Sequence, residues 1–362
     1  MNVLLYIIII FFSIQFTVML VNLIIRDRLG AHVKGSGFNI SVMIPARNEA
    51  HNIRNILYDL RKYQTNQVEI LVADDSSEDE TASVVAQLSK ENNTIKLITL
   101  KELPPGWLGK NHACYKLSEI ANGDYYLFID ADVRINADII NQSVAFMNKH
   151  QLSLLSIFPA QEIKSVGEWL TVPLMNYILL TLLPLILVRK SHFKSLAAAN
   201  GQYMLFKAID YKNLKPHFTF KNNRTEDIAI QQYFKANAKK TACLLGNNDI
   251  KCRMYNNLND AINGFTKNTL AFFGNVPLLA ILFWTMTTIG LFYPLMNTDK
   301  MIYYLPFILM VLTRIGVSLM SKQNVLMNVL MMIPQQIVLG LIIVKSIRKN
   351  YKNEHVWKGR KI

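Results

Sequence analysis

Between residues 39 and 150, short runs of β-branched and apolar residues alternate with helical patterns, and no other feature of the chain restricts its fold as tightly. Ile40 to Ile44 has the composition of a strand, and Ile53, Ile56, Leu57 and Leu60 then recur at helical spacing. The pattern repeats in Val68 to Ala73 followed by Thr81, Val84, Val85 and Leu88, and again in Ile95 to Leu100 followed by a helix from about Asn111. A fourth strand, Tyr125 to Ile129, ends at Asp130. Strands that alternate with helices build a mostly parallel α/β sheet covered on both faces, with right-handed crossovers. Ligands of such sheets bind outside the carboxyl ends of the strands. The residues that follow each strand are therefore where chemistry is expected.

An α/β domain does not account for the whole chain. Asn2 to Ile25 carries no charged residue and is long enough to cross a hydrocarbon core. It lacks the basic start and small-residue cleavage site of a signal peptide, so a transmembrane anchor over 1–27 is expected. Three further apolar runs, 269–296, 302–320 and 326–344, span or nearly span a bilayer. Such segments explain a hydrophobic content of 51%, which is high for a wholly soluble enzyme. Arg26, Arg28 and Lys34 follow the first run and no Lys or Arg precedes it, so the positive-inside rule places the next domain in the cytoplasm.

The net charge of +14 gathers beside the apolar runs. Lys345, Arg348, Lys349, Lys352, Lys358, Arg360 and Lys361 make 345–362 a basic tail of the cytoplasmic juxtamembrane kind. An anchor plus three full spans would put that tail outside, so one run is expected to be re-entrant or interfacial. Pro277, Pro306 and Pro334 each interrupt a run and do not single one out. The expected organisation is an anchor at 1–27, an α/β domain at 28–268, transmembrane or re-entrant helices at 269–344 and a tail at 345–362. The protein is then a multi-pass protein of the cell membrane with a cytoplasmic α/β domain. Residues 170–188, broken by Pro173 and Pro184, are expected to lie as helices on the membrane surface, with a buried core helix as the alternative.

Several function classes lose their signatures. There is no zinc-finger spacing, RNP-like aromatic motif or basic recognition helix, so nucleic acid is not the expected partner. Cys114, Cys243 and Cys252 are too few for a disulfide framework or a four-cysteine zinc site and fit a reducing compartment. No glycine-rich dinucleotide fingerprint, Walker loop, Gly-x-Ser-x-Gly elbow or His-Glu-x-x-His helix occurs.

What the predicted sheet edge does carry is acidic. The first strand runs into Pro45-Ala46-Arg47-Asn48-Glu49 and the second into Asp74-Asp75-Ser76-Ser77. A carboxylate at such a turn accepts hydrogen bonds from a ribose hydroxyl or a base N–H; the plain alternative for Asp74 and Asp75 is turn and cap chemistry. The fourth strand delivers Asp130 and Asp132, at i and i+2 where extended chain puts both on one face. Two such oxygens suit a hard divalent cation, Mg²⁺ or Mn²⁺, that keeps several waters and bridges to phosphates. Further on, Thr225-Glu226-Asp227 opens a helical pattern with Ile230, Tyr233 and Phe234 on one side, where capping is the ordinary role for Thr225 and the two acids.

These four motifs in this order resemble the inverting family 2 glycosyltransferases of GT-A fold. The resemblance implies that Pro45, Arg47, Glu49 and Asp75 or Asp74 hold the nucleotide of a sugar donor, that Asp130 and Asp132 bind a metal and the diphosphate, and that the Glu226-Asp227 pair supplies the general base through Asp227. Asn200-Gly201-Gln202 resembles the small-residue turn beside the acceptor. Two shorter stretches, Pro105-Gly106-Trp107-Leu108-Gly109-Lys110-Asn111-His112-Ala113-Cys114-Tyr115 and Val356-Trp357-Lys358-Gly359-Arg360, are similar to carotenoid-acid glycosyltransferases and hopanoid-associated relatives. Lys110 is then expected at the donor diphosphate as a point charge and Trp107 beside the acceptor, with simple core packing as the alternative for Trp107. The expected partners are a UDP-linked sugar, a lipid acceptor and the membrane.

The Gln-x-x-Arg-Trp motif of processive synthases has no counterpart, since Arg253-Met254-Tyr255-Asn256 is followed by Gly264-Phe265-Thr266-Lys267 without tryptophan. A polymer synthase is therefore not expected. A polyprenyl-phosphate glycosyltransferase shares every donor-side motif and differs only at the acceptor, and a non-catalytic membrane scaffold remains the alternative outside enzymes.

Overall fold

The computed structural model describes residues 3–30, 37–61, 67–136, 138–296, 300–352, 356–357 and 360–361. In chain order, helix α1 (Val3–Ile25) precedes the alternating series β1 (Ile40–Ala46), α2 (Ala50–Arg61), β2 (Val68–Asp74), α3 (Thr81–Glu91), β3 (Ile95–Thr99), α4 (Gly109–Ile120) and β4 (Tyr125–Ile129). Then follow β5 (Val133–Ile135), α5 (Ile139–His150), β6 (Leu154–Phe158), β7 (Ala160–Gln161), α6 (Val166–Leu182) and α7 (Leu185–Lys190). Next come β8 (Tyr203–Lys207), α8 (Ala208–Leu214), α9 (Pro216–Thr219), α10 (Glu226–Ala236), β9 (Thr241–Leu245) and β10 (Ile250–Cys252). The last part holds α11 (Leu258–Asn268), α12 (Pro277–Met296), α13 (Leu305–Met320), α14 (Val325–Leu330), α15 (Met332–Lys352) and the short pair β11 (Val356–Trp357) and β12 (Arg360–Lys361).

The chain divides into two compact units. One comprises 27–160, 187–252 and 356–362 and contains the sheet. Its seven strands run in the order β3-β2-β1-β4-β8-β6-β9, parallel except for β8, which is antiparallel to both β4 and β6. The expected helix faces are the buried ones: Ile53, Ile56, Leu57 and Leu60 on α2, and Thr81, Val84, Val85 and Leu88 on α3. They cover one side of strands whose own residues are buried on both faces, as a parallel sheet requires. Phe128, Phe206, Tyr211 and Phe234 form an aromatic part of the core directly under the edge where β4 ends.

The other unit comprises 1–26, 161–186 and 253–355 and is helical. Val3–Ile25 and Met301–Met320 are long and apolar enough to cross a membrane, with mean hydropathy 2.6 and 1.7. Leu258–Phe273 and Pro277–Tyr293 pass the same test only as a pair bent by 100°, so the run expected over 269–296 is broken, and the run expected over 326–344 divides into α14 and α15 and is not among the described helices that pass. The break falls where Gly274 adopts φ +64° and Pro277 opens the next helix.

Residues 161–186 belong to this unit and not to the sheet unit, so the expected single domain over 28–268 is interrupted. Helix α6 is buried continuously from Thr171 to Thr181. A helix apolar all round is an interior element rather than one lying with a single face in the interface, so the core-helix alternative describes α6. Pro184 ends it, and Asn22 of α1 satisfies the freed backbone: its side-chain amide donates to Leu180 O and Leu183 O at 3.0 and 2.9 Å and accepts from Leu185 N at 2.7 Å. Lys34 and Lys358, two of the expected topology-setting cations, and Gly359 of the terminal stretch lie outside the described residues.

Candidate active site

Every site residue expected from the sequence lies in the sheet unit. The turns after β1 and β2 are stitched together. Asn48 N–H donates to Ser77 Oγ at 3.0 Å, Glu78 N–H donates to Asn48 Oδ1 at 2.8 Å, and Ala50 N–H donates to Asp79 Oδ2 at 3.0 Å. Asn48 and Ser76 both hold positive φ, 52° and 55°, an uncommon state for side-chain-bearing residues that concentrates at functional turns. Arg47 points into this frame: its guanidinium donates to the carbonyls of Asp75 and Ser76 at 2.7 and 2.8 Å and pairs with Glu78. Asp74 and Asp75 are buried, and Asp74 accepts weakly from Ser77 N–H. Glu49 accepts from the Asn52 side chain at 2.8 Å.

The catalytic candidates meet at the end of β4. Lys110, from the first turn of α4, places its ammonium 2.7 Å from Asp130 Oδ1 and 3.7 Å from Glu226 Oε1, and it also donates to Gly201 O at 3.4 Å. Gly201 N–H in turn donates to Asp227 Oδ2 at 3.0 Å. A Cβ at Gly201 would stand 3.1 Å from Lys110 Nζ and 3.4 Å from Glu226 Oε1, so only glycine leaves this contact undisturbed. Lys110, Asp130, Gly201, Glu226 and Asp227 are thus one connected cluster drawn from four separate parts of the chain.

The electrostatics follow from the packing. Burial pushes Glu226 up to about 7, Lys110 opposes this, and Asp227 beside it adds to it. Burial also raises Asp227, while the N–H groups of Ile228 and Gly201 and the Lys110 charge pull it back. Lys110 is held well above the ordinary lysine range: burial alone would lower it, but Asp130 and Glu226 outweigh that. Thr225 occupies the N-cap position of α10 without a side-chain cap bond, and its N–H goes instead to Asn223 Oδ1. The capping role expected of Thr225 is therefore not what the structure shows, because the local turn already satisfies that residue.

Asp132 completes the acidic edge. Burial, Asp130 and Glu49 push it up to about 7, and its Oδ1 is buried with no hydrogen-bond partner. An orphaned carboxylate oxygen costs free energy unless something cationic meets it. Asp130 and Asp132 therefore fit a divalent ion as two protein oxygen ligands, the kind of donor that Mg²⁺ or Mn²⁺ takes. The side-chain amide of Gln202 donates to Cys252 S at 2.8 Å, and its backbone carbonyl accepts from Asp130 N–H at 3.1 Å.

Trp107 packs in an aromatic group with His112, Tyr115 and Phe218 at centroid separations of 5.4, 5.3 and 5.9 Å. Arg253 forms a two-point pair with Glu168 inside the helical unit, at 2.9 and 3.3 Å. One residue to which the sequence assigned no role matters greatly: Asn111, buried beside Lys110, donates its amide to Phe220 O, Lys221 O and Asn223 O at 2.9, 3.3 and 3.1 Å. It ties α4 to the loop that delivers Glu226 and Asp227. Its position immediately after Lys110 is the only hint the sequence offers.

A 4,4'-diaponeurosporenoate glycosyltransferase of Staphylococcus haemolyticus is 26% identical over 239 residues, 64% of this chain and 60% of the relative. The protein of the same name from Staphylococcus aureus (strain MRSA252) is 32% identical over 145 residues, 38% of this chain and 36% of the relative. The chain therefore spans less than two thirds of the length of either. Among solved structures, a mannosyltransferase of Pyrobaculum calidifontis, in complex with GDP-Man and Mn²⁺, superposes at TM-score 0.55 with 15% identity, over 96% of this chain and 99% of that one. That likeness establishes a GT-A fold. Residues 41–210, from β1 into α8, are a Glycosyl transferase family 2 domain.

Proposed function

We propose that the chain transfers a sugar from a nucleotide diphosphate donor, a UDP-linked hexose, to a lipid acceptor with inversion at the anomeric carbon. The observation that carries this reading is the Lys110 cluster: one ammonium set between Asp130 and Glu226, with Asp227 anchored by the Gly201 amide. Asp227, raised by burial, is a carboxylate suited to take the acceptor proton. Inversion requires Asp227 at one face of the sugar and the groups that hold the diphosphate, Lys110 and the Asp130/Asp132 metal, at the other. Asp130 and Asp132 would hold the divalent ion, whose bound charge would offset that of the departing nucleotide diphosphate. Glu226 keeps Lys110 in place, and the stitched turns after β1 and β2 present Glu49, Asp74 and Asp75 to the nucleoside, with Pro45 and Arg47 shaping the turn.

The acceptor class rests on the carotenoid-acid relatives and on the apolar helical unit, which keeps the chain at the bilayer. Arg26 and Arg28, directly after α1, support a cytoplasmic sheet unit, where nucleotide sugars are found. A donor screen tests the reading. Purified protein in detergent is given each nucleotide sugar with Mg²⁺ or Mn²⁺, and nucleotide diphosphate release is followed with and without membrane lipid extract. Release that needs both metal and extract is the expected result, and Asp132→Ala should lower it about 100-fold or more while the protein still elutes as a folded species. No release with any donor, or near-normal release from Asp132→Ala, refutes the assignment.

A further inference from the structure

We propose that residues 189–195 form a finger that docks on anionic lipid at the bilayer surface. The level of this segment relative to the membrane follows from two sets of contacts. Helix α1 has 23 residues, about 35 Å at 1.5 Å per residue, and so just crosses a hydrocarbon core of about 30 Å. Near its end, Asn22 binds Leu180, Leu183 and Leu185, fixing the start of α7 at that height. Asp27, two residues past the end of α1, accepts both arms of the Arg189 guanidinium at 2.7 and 2.8 Å. Arg189 thus stands where the chain leaves the lipid. Phe193, four residues on, lies within about 14 Å of it by chain reach, and the headgroup layer is itself roughly 5–7 Å thick per leaflet.

The chemistry of the segment suits that layer. Phe193 is 73% exposed, the largest exposure given for a hydrophobic side chain of the sheet unit. Lys190, His192 and Lys194 flank it and are exposed too. No acidic residue occurs between Glu168 and Asp210, so nothing nearby in the chain neutralises this charge. An exposed aromatic ring among cations is the composition that inserts at the headgroup boundary of anionic bilayers. The finger is also built to hold its shape. Lys235, a buried residue of α10, donates its ammonium to Ser191 O at 3.0 Å and Leu196 O at 2.7 Å, closing the base of the loop under Phe193.

The test uses the full chain and does not depend on sugar transfer. The three native cysteines are buried, so Phe193→Cys can carry a thiol-reactive bimane fluorophore in protein reconstituted into nanodiscs. Brominated-chain phosphatidylcholine should quench this label at least about twofold more than a label at Glu91→Cys on the exposed end of α3, and adding phosphatidylglycerol should deepen the quenching. With Lys190→Glu and Lys194→Glu together, the phosphatidylglycerol dependence should vanish. Equal quenching at 193 and 91 would overturn the docking and leave the surface to a protein partner. A phosphatidylglycerol dependence that survives the charge reversal would overturn the role of the cations.

Discussion

Acidification tests the core that supports the site. His217 is 2% exposed, its ring centroid is 4.7 Å from that of Phe128, and its Nδ1 shares a 2.7 Å hydrogen bond with the Tyr211 hydroxyl. Phe128 lies on β4, two residues before Asp130, so this packing supports the strand end that bears the acidic cluster. Burial pushes the imidazole down to about 3, and the Lys110 charge adds to the shift. An unfolded histidine titrates near 6.5, so between these values the unfolded chain binds a proton that the fold excludes. The stabilisation is therefore complete above about pH 6.5 and is lost as pH falls toward 3. From this one group the loss between pH 7 and pH 5 is about 2 kcal/mol, rising to about 3 kcal/mol at pH 4.

A unit of this size translates about 2 kcal/mol into a fall of about 4–8 °C in Tm. The assay is thermal unfolding of detergent-solubilised protein at pH 7, 6 and 5, comparing the native chain with His217→Asn, which keeps a polar partner for Tyr211 but does not titrate. Carboxylates that titrate in the same range contribute to both proteins and cancel in the difference. The variant should be less stable at pH 7 yet lose about 2 kcal/mol less on going to pH 5. Parallel pH profiles for the two proteins would refute a buried, neutral His217.

Three further outcomes bear on the cluster itself. Lys110→Met leaves Asp130 and Glu226 without their shared cation and should lower the rate of nucleotide diphosphate release about 10²–10³-fold, read from kcat with the native donor. Gly201→Ala pushes a methyl against Lys110 Nζ and should cost about 10- to 100-fold in kcat with the melting temperature little changed, since a displaced charge rather than a lost core is at fault. Asp227→Asn should have a mild effect beside that of Asp132→Ala if the acceptor is a carboxylic acid, because such an acceptor is already ionised at neutral pH with a pKa near about 4. The ratio of the two rates with membrane lipid extract as the acceptor source measures this; equally severe losses would point to an acceptor hydroxyl that needs its proton removed.

Helical and strand periods made the left half of the sheet legible. The faces of α2 and α3 were readable because four apolar residues on each repeat at the spacing of one helix side, and nothing distant competes with that burial. Asp130 and Asp132 were readable for a similar local reason, since an apolar strand that stops at a carboxylate marks a sheet edge. The position of β8 between β4 and β6 was not, because an antiparallel strand inserted more than seventy residues after β4 is fixed only by its pairing partners, Tyr125↔Lys207 and Leu154↔Phe206. Helix α6 escaped for another reason. Its apolar residues have no preferred side, so the sequence alone leaves open whether lipid or other helices surround it, and the Asn22 contacts with the break after it decide the matter.

The Thr225-Glu226-Asp227 segment shows why local chemistry and site chemistry diverge here. A helix start leaves free N–H groups, and acidic residues in the first turn normally serve them. In α10, Asp227 gives one oxygen to Ile228 N–H and the other to Gly201 N–H, from the turn before β8, while Glu226 turns toward Lys110. Both carboxylates are thereby held in a buried setting that raises them, at the positive end of a helix that partly offsets the cost. A residue used purely for capping has no reason to bear that desolvation. The arrangement persists because Asn111 fixes the loop before α10 to the helix that carries Lys110, so the acid pair and the lysine reach the edge of β4 in register.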